Sequence, residues 1–386
     1  MTSSHKHSTT GKLALAGTID KDVPAAVAAH VATYHPTVPV PPEPPVPPSP
    51  GTRPFPAPVT PNKVDVPASA IASADAFASF VAAVPPGSWF KLPATSVGWA
   101  YGMVLSGRRN LLIDASAFKL TVTGTPSAGV DKLSGLTFRD CQDVAVLGLT
   151  AQGGYGGTPA LPGAAESTHL VNLSGWYSMP ASKRIEVAGL VGSQGYSDGV
   201  YIEGQNAADQ PPAQDIWVHH SAFTNMGRNL LSLINCDRVL FEDCTADRIN
   251  YHVFDFEANS TAEQTTNVTA RRNKVGSYAL RPGLLGFFAA AVGNADVARV
   301  VGGIELSDNT VQGTASDGYE HQPRGISSMF VGGSANHFRD IKFLRNTSPQ
   351  PLKPDSFYAS YCDGVVVEGV PASSVMTPNC TGVVVK

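Results

Sequence analysis

The sequence predicts an all-β fold: a single-stranded right-handed parallel β-helix, a solenoid with an N-terminal capping helix, preceded by a short helix and a Pro-rich stalk. Three observations predict it. Between Ser197 and Val275 the chain reads SDGVYIEG, AQDIWVHHSAF, RNLLSLINCDRVLFEDCTA, YHVFDFEAN and TTNVTARRNKV, short runs of alternating apolar and polar residues joined by turns. Such alternation marks strands with one buried face. Second, a phrase of Asp, Arg or Asn followed by an aliphatic anchor recurs at Val144, Ile185, Ile216, Val239, Val268 and Ile341, and Gly364-Val365 follows it. Ile304 and Val383 fit more loosely, and Leu111 opens the series. From Val144 on, the steps are 41, 31, 23, 29, 36, 37, 24 and 18 residues. A repeat of this size without helices requires coils stacked about 4.8 Å apart, each of roughly 22 residues plus loops extruded at its corners. Third, the 37 glycines suit a fold with tight corners on every coil.

Composition bounds the function. The 386 residues hold one large core and an appendage. A net charge of −4 without a basic stripe argues against nucleic acid. No apolar run reaches the roughly 18 residues of a membrane span, so no membrane insertion is expected. The N-terminus lacks an apolar stretch of signal-peptide length, so action outside a cell implies another exit, such as release by lysis inside an assembled particle. Cys141, Cys236, Cys362 and Cys380 each stand three residues before an anchor and so share one corner, where buried thiols act as small hydrophobes. Only Cys362 and Cys380 fall on consecutive coils, where a disulfide is geometrically allowed.

Residues 1–35 form a head. Within it Asp22 to Tyr34 suits a short helix, with Asp22 as cap and Pro24 in the first turn. Val23, Val27, His30 and Tyr34 begin a heptad seam, which reads either as an oligomer-docking peg or as a frayed amphipathic helix. Residues 36–61 carry 13 of the 31 prolines. Proline cannot donate to a ladder and favours extended polyproline II, so this segment reads as a semi-rigid spacer, with an SH3 or WW ligand as the alternative. The β-helix occupies residues 62–386. Near its start Ser73 caps a helix whose Phe77, Phe80, Val81 and Val84 share one face and which ends at Pro85-Pro86-Gly87. A solenoid end exposes backbone and core, and this helix is the right size to cover it.

The order of that helix ending in Val84-Pro85-Pro86-Gly87-Ser88, the Phe90-Lys91-Leu92-Pro93 strand and the run from Leu105 to Asp114 resembles the opening of pectate-lyase-like β-helix proteins. It is especially similar to minor tail proteins or tail spikes of phages infecting actinobacteria. Ser106 to Asp114 is the closest match, followed by Gly227 to Ile234 and Val253 to Asn259, and the likeness spans 62–386. The resemblance implies a virion component of a phage tail, a homotrimer joined to other tail proteins through its N-terminal segment, that recognises host cell-envelope polysaccharide. An extracellular location is the alternative. No cofactor and no metal are implied.

Alternation sends Val200 and Ile202 inward and Tyr201 and Glu203 outward. On the next coil Leu231 and Leu233 point in, Leu230 and Ser232 out, with Arg228 near the preceding turn. On the third, Phe254 and Phe256 point in and Val253, Asp255 and Glu257 out; Asp198 and His252 flank at turns. One face thus gathers Glu203, Asp255 and Glu257 as acid/base candidates with Arg228 and His252, and Asp198, Tyr201 and Ser232 as substrate-binding candidates. Glycoside hydrolysis needs two carboxylates about 5 to 9.5 Å apart, which neighbouring coils supply. A lyase instead needs a base and a cation against a uronate, roles open to Arg228 and His252. Crowded like charges raise one carboxyl pKa. The same face also reads as a sugar-binding groove without turnover, or as a solubilising polar surface.

Ser197-Asp198-Gly199 resembles the N-T-D-G strand of polygalacturonases. Gly227-Arg228-Asn229 stands where that family has paired aspartates, and no G-H-G follows, so its mechanism is not carried over. His219-His220 reads as a satisfied pair, His220 inward with Val218 and His219 outward, rather than as metal ligands. The loop Ser316 to His321, with Arg324 behind it, suits a sugar, a cation or a solvated insertion. Loops inserted at two corners would wall a groove for an extended polymer, with Trp176 available for stacking. The functional expectations are a tail component that recognises polysaccharide, a polysaccharide hydrolase or lyase, or a rigid structural extender.

Overall fold

A computed structural model describes residues 53–386 apart from 126–133, 157–167, 175–179, 205–210, 259–262, 281–287, 293–299, 313–325 and 335. The head helix, most of the spacer, Trp176 and the loop from Ser316 to Arg324 therefore lie outside the described residues.

The predicted lid is α1, Ala74–Ala83. The Ser73 side chain accepts from the Ala76 amide at 3.1 Å, which satisfies an otherwise orphaned donor of the first turn. At the other end Arg108 donates to the carbonyls of Ala82 and Val84. Phe77 and Val81 are buried, and Phe77 packs on Phe90 and Trp99, with ring centroids 6.4 and 5.5 Å apart.

Beyond the lid the chain winds through three parallel ladders. The anchor ladder runs from Ser88–Lys91 through Arg109–Asp114, Gln142–Leu147, Lys183–Ala188, Ala213–His219 and onward to Val384–Val385. A second, eight-stranded ladder runs from Thr95–Trp99 to Thr310–Val311. The third includes Val171–Ser174, Val200–Glu203, Leu231–Glu242 and Phe254–Phe256, and Leu231–Glu242 continues without a break into the anchor ladder. Strands of successive coils pair with one another, and among the described residues every pairing is parallel, which is the right-handed parallel β-helix expected.

The anchors stack in one column: Leu111, Val144, Ile185, Ile216, Val239, Val268, Ile304, Ile341 and Val365 are register partners, and all are buried. The recurring phrase now has a conformational cause. The residue before each anchor is left-handed: Asn110, Asp143, Arg184, Asp215, Arg238, Asn267 and Asp340 have φ between 49 and 57°, and Gly303 and Gly364 take the slot elsewhere. A residue in this region bends the chain at a corner, and Asp and Asn tolerate it better than most side chains. Arginine does not share that tolerance. Its cost is offset along the stack, where Arg184 pairs with Asp143 and Arg238 with Asp215.

Three expectations need correction. Leu230 and Val253 point into the core, not outward, because the chain enters the third ladder with two consecutive core-facing residues. His220 does not share Val218's inward face; it is a left-handed corner residue (φ 49°) and half-buried. His219 does face away from the core, yet it is fully buried. The cysteines are free thiols, with Cys141, Cys236, Cys244 and Cys362 buried and Cys380 partly exposed.

Candidate functional site

The third ladder builds the site. Its register places Asn172, Tyr201, Ser232 and Asp255 in one column across four coils. The backbone just before these strands is also in line: Leu170 donates to Asp198 O, Gly199 to Asn229 O and Leu230 to His252 O. His169, Asp198, Asn229 and His252 therefore form a second column beside the first. The eight residues singled out from the sequence belong to the last three of these four coils.

They are sunk into the surface. Asp198 is 0% exposed, Ser232 2%, Glu203 4% and Asp255 5%, while Tyr201, Arg228, His252 and Glu257 are half-buried. Buried carboxylates are not solubilising groups, so that reading of the face is removed.

Asn229 joins the columns. Its amide nitrogen donates to Asp198 Oδ1 at 2.9 Å, and its side-chain Nδ2 to Asp255 Oδ2 at 2.9 Å and Ser232 Oγ at 3.0 Å. Its Oδ1 accepts from the His252 amide at 3.0 Å. His169 Nδ1 lies 3.0 Å from Asp198 Oδ2, and its ring stacks on Tyr201 at 4.0 Å with planes 8° apart. The Tyr201 hydroxyl donates to Glu203 Oε2 at 3.1 Å. A shift of register between Ile202 and Glu203 brings Glu203 opposite Asn235.

These environments divide the carboxyls. Burial, then the charges of Glu257 and Asp198, push Asp255 from the ordinary 3.8 up to about 8, so it carries a proton at neutral pH. For Asp198 burial acts upward too, but the Arg228 charge, His169 and the Asn229 amide together hold it below the ordinary value. Burial, then Arg228, lowers His252 to about 4, leaving a neutral imidazole. Burial and the neighbouring Glu203 raise the Tyr201 phenol well above 10, so it remains a donor. A protonated acid and ionised carboxylates held on one face are the inventory of acid–base hydrolysis.

His169 and Asn229 were not singled out from the sequence. The signal lies in four aligned tetrads: Thr168-His169-Leu170-Val171, Ser197-Asp198-Gly199-Val200, Arg228-Asn229-Leu230-Leu231 and Tyr251-His252-Val253-Phe254. Close by, Thr137 Oγ1, Thr168 Oγ1, Asn172 Oδ1 and Ser197 Oγ are buried side-chain atoms that find no hydrogen-bond partner.

No protein-family model matches the chain, and no curated protein matches it in sequence. Solved structures to which it is similar include the surface protein and adhesin PfbA of Streptococcus pneumoniae, at 11% identity and TM-score 0.46, covering 80% of this chain and 92% of that one. Endopolygalacturonase I of Stereum purpureum matches at 11% identity and TM-score 0.38, covering 77% and 94%. The A-module of the mannuronan C-5 epimerase AlgE6 of Azotobacter vinelandii matches at 12% identity and TM-score 0.34, covering 78% and 90%. At TM-scores of 0.46 and below these likenesses carry no argument about chemistry.

Proposed function

We propose that the chain binds an extended cell-envelope polysaccharide across the third ladder and hydrolyses it there. The observation that carries this reading is Asp255, a buried carboxyl that keeps its proton at neutral pH beside ionised partners. Asp255 gives its proton to the glycosidic oxygen as the C–O bond breaks. Glu257, two residues on and just past the end of the Phe254–Phe256 strand, takes a proton from the water whose oxygen bonds to the anomeric carbon. Asp198 is too enclosed to attack and acts by orienting Arg228 and His169.

The test is release of new reducing ends from host envelope glycans. Asp255→Asn and Glu257→Ala are each expected to lower release at least 100-fold while leaving glycan retention on an affinity gel largely intact. Retention with no release by the native protein would mean a recognition protein without turnover. Unsaturated uronates among the products would mean a lyase.

The proline run of residues 36–61 behind a heptad-like head, together with the match over Ser106 to Asp114, favours a phage tail appendage as the setting. In that reading the chain is virion-borne, trimeric and attached to other tail proteins by its N-terminal segment.

A further inference from the structure

The outer face of the anchor ladder holds a second cluster that the site above does not use. Glu186 and Trp217 are register partners there, and His219 and Glu242 are partners one row along. All four side chains point away from the core, yet they are only 2, 1, 0 and 4% exposed. At the matching positions of later coils Thr269 and Glu305 are half-buried and Lys342 is exposed, as an outer row ordinarily is. Trp217 stacks on His219 at 3.7 Å and donates to Glu242 Oε1 at 2.9 Å, and His219 Nε2 lies 3.2 Å from Glu186 Oε1.

The occupant of this cage belongs to the chain itself. Arg53 pairs with Glu186, and its guanidinium stands 5.7 Å from the centre of the Trp217 ring. Phe55 meets the same indole edge-on at 6.5 Å. The reach is informative. Lys63 is a register partner of Trp89, and five ladder steps separate Lys63 from Trp217 by way of Leu112, Ala145 and Glu186, about 24 Å at the usual strand spacing. The eight residue steps from Phe55 to Lys63 span about 25 Å as polyproline II. The segment therefore runs nearly straight along the solenoid axis, across the strands, and its prolines at 54, 56, 58 and 61 preset that conformation at little entropic cost.

We propose that Glu186 and Trp217 form a guanidinium-receiving cage in which Arg53 of the same chain is the key, so that the end of the proline-rich segment is strapped along the wall of the β-helix; Glu242, itself paired with Arg271 and Arg272, holds the indole in place. The wall then takes load from the N-terminal arm several coils away from the first strand. An aromatic face beside a carboxylate selects arginine over a neutral side chain through its charge and planar fork.

Acylation of histidines by diethylpyrocarbonate, mapped by mass spectrometry on the full-length protein, tests this. His220 is half-buried at the adjacent corner and serves as the internal reference. In the native protein His219 is expected to resist. In Arg53→Ala/Phe55→Ala its rate should rise at least tenfold relative to His220, and an excess of the peptide spanning Thr52 to Thr60 should restore protection. The same peptide with glutamine in place of Arg53 should not. Glu186→Gln, which keeps the segment intact, should raise the rate at least threefold. Continued protection of His219 in either variant, or equal protection by both peptides, overturns the proposal. Protection of the native protein that vanishes on dilution would assign the strap to a second copy and overturn the same-chain assignment.

Discussion

The Asp255 carboxyl is where a single residue most affects how the molecule responds to pH. Its folded-state pKa is raised to about 8, so its contribution to stability is full below about 4 and is lost as pH rises toward 8. His252 and His219, both lowered to about 4 mainly by burial, act in the opposite direction: their contribution is full above the ordinary 6.5 and is lost as pH falls toward 4. Between 4 and 6.5 these two histidines, and His220, which burial lowers in the same direction, gain stability with pH while Asp255 loses it. Between 6.5 and 8, below the range where the buried thiols titrate, the loss from Asp255 dominates. Urea unfolding should therefore show stability falling from pH 6.5 to 8, by up to roughly 1.4 kcal/mol per pH unit. Asp255→Asn should flatten that window and exceed the native protein in stability at pH 8. Hydrolysis should decline above about pH 8, where the acid loses its proton. Alternation alone located Tyr201, Ser232 and Asp255, because side-chain direction along a strand is a local property. It did not reveal that Asn229 bridges two carboxyls, because those contacts link residues 31 and 26 positions away through coils of unequal length.

At the scale of the element, the corners hold the coils in register. Beyond the anchor column a second left-handed column runs through His220, Asp243, Arg272, Asp308 and Arg345, with Arg272 paired to Asp243 and Arg345 to Asp308. Inside it Asn273, Asn309 and Asn346 form a buried ladder. Asn309 Nδ2 donates to Asn346 Oδ1 and to Ala270 O, each at 2.9 Å, and its Oδ1 accepts from the Asn273 amide at 3.0 Å and from Asn273 Nδ2 at 2.9 Å. Replacing the middle rung strands polar groups on both neighbours. Asn309→Ala is expected to cost about 2–4 kcal/mol in urea unfolding. A loss under about 1 kcal/mol would mean that the neighbours relax or hydrate. The lid helix could be read from the sequence because cap, face and stop lie within about three turns of chain. The asparagine ladder was not singled out, because its rungs are 36 and 37 residues apart.

For the whole molecule, the proposed trimeric tail appendage predicts a mass of three 40.3 kDa chains by light scattering of the full-length protein; a monomer at micromolar concentration would remove the trimer. The sequence by itself determined the architecture. A corner residue that tolerates left-handed backbone followed by a buried aliphatic is a local requirement repeated on every coil, so it is written at every repeat and survives loops of any length. It also determined which coils carry ionisable side chains. Tertiary structure alone decided that those side chains are buried, which carboxyl keeps its proton, and that Arg53 lies on Trp217 more than 160 positions away. Burial and charge at a site are sums over neighbours brought in by stacking, and no single stretch of chain contains them.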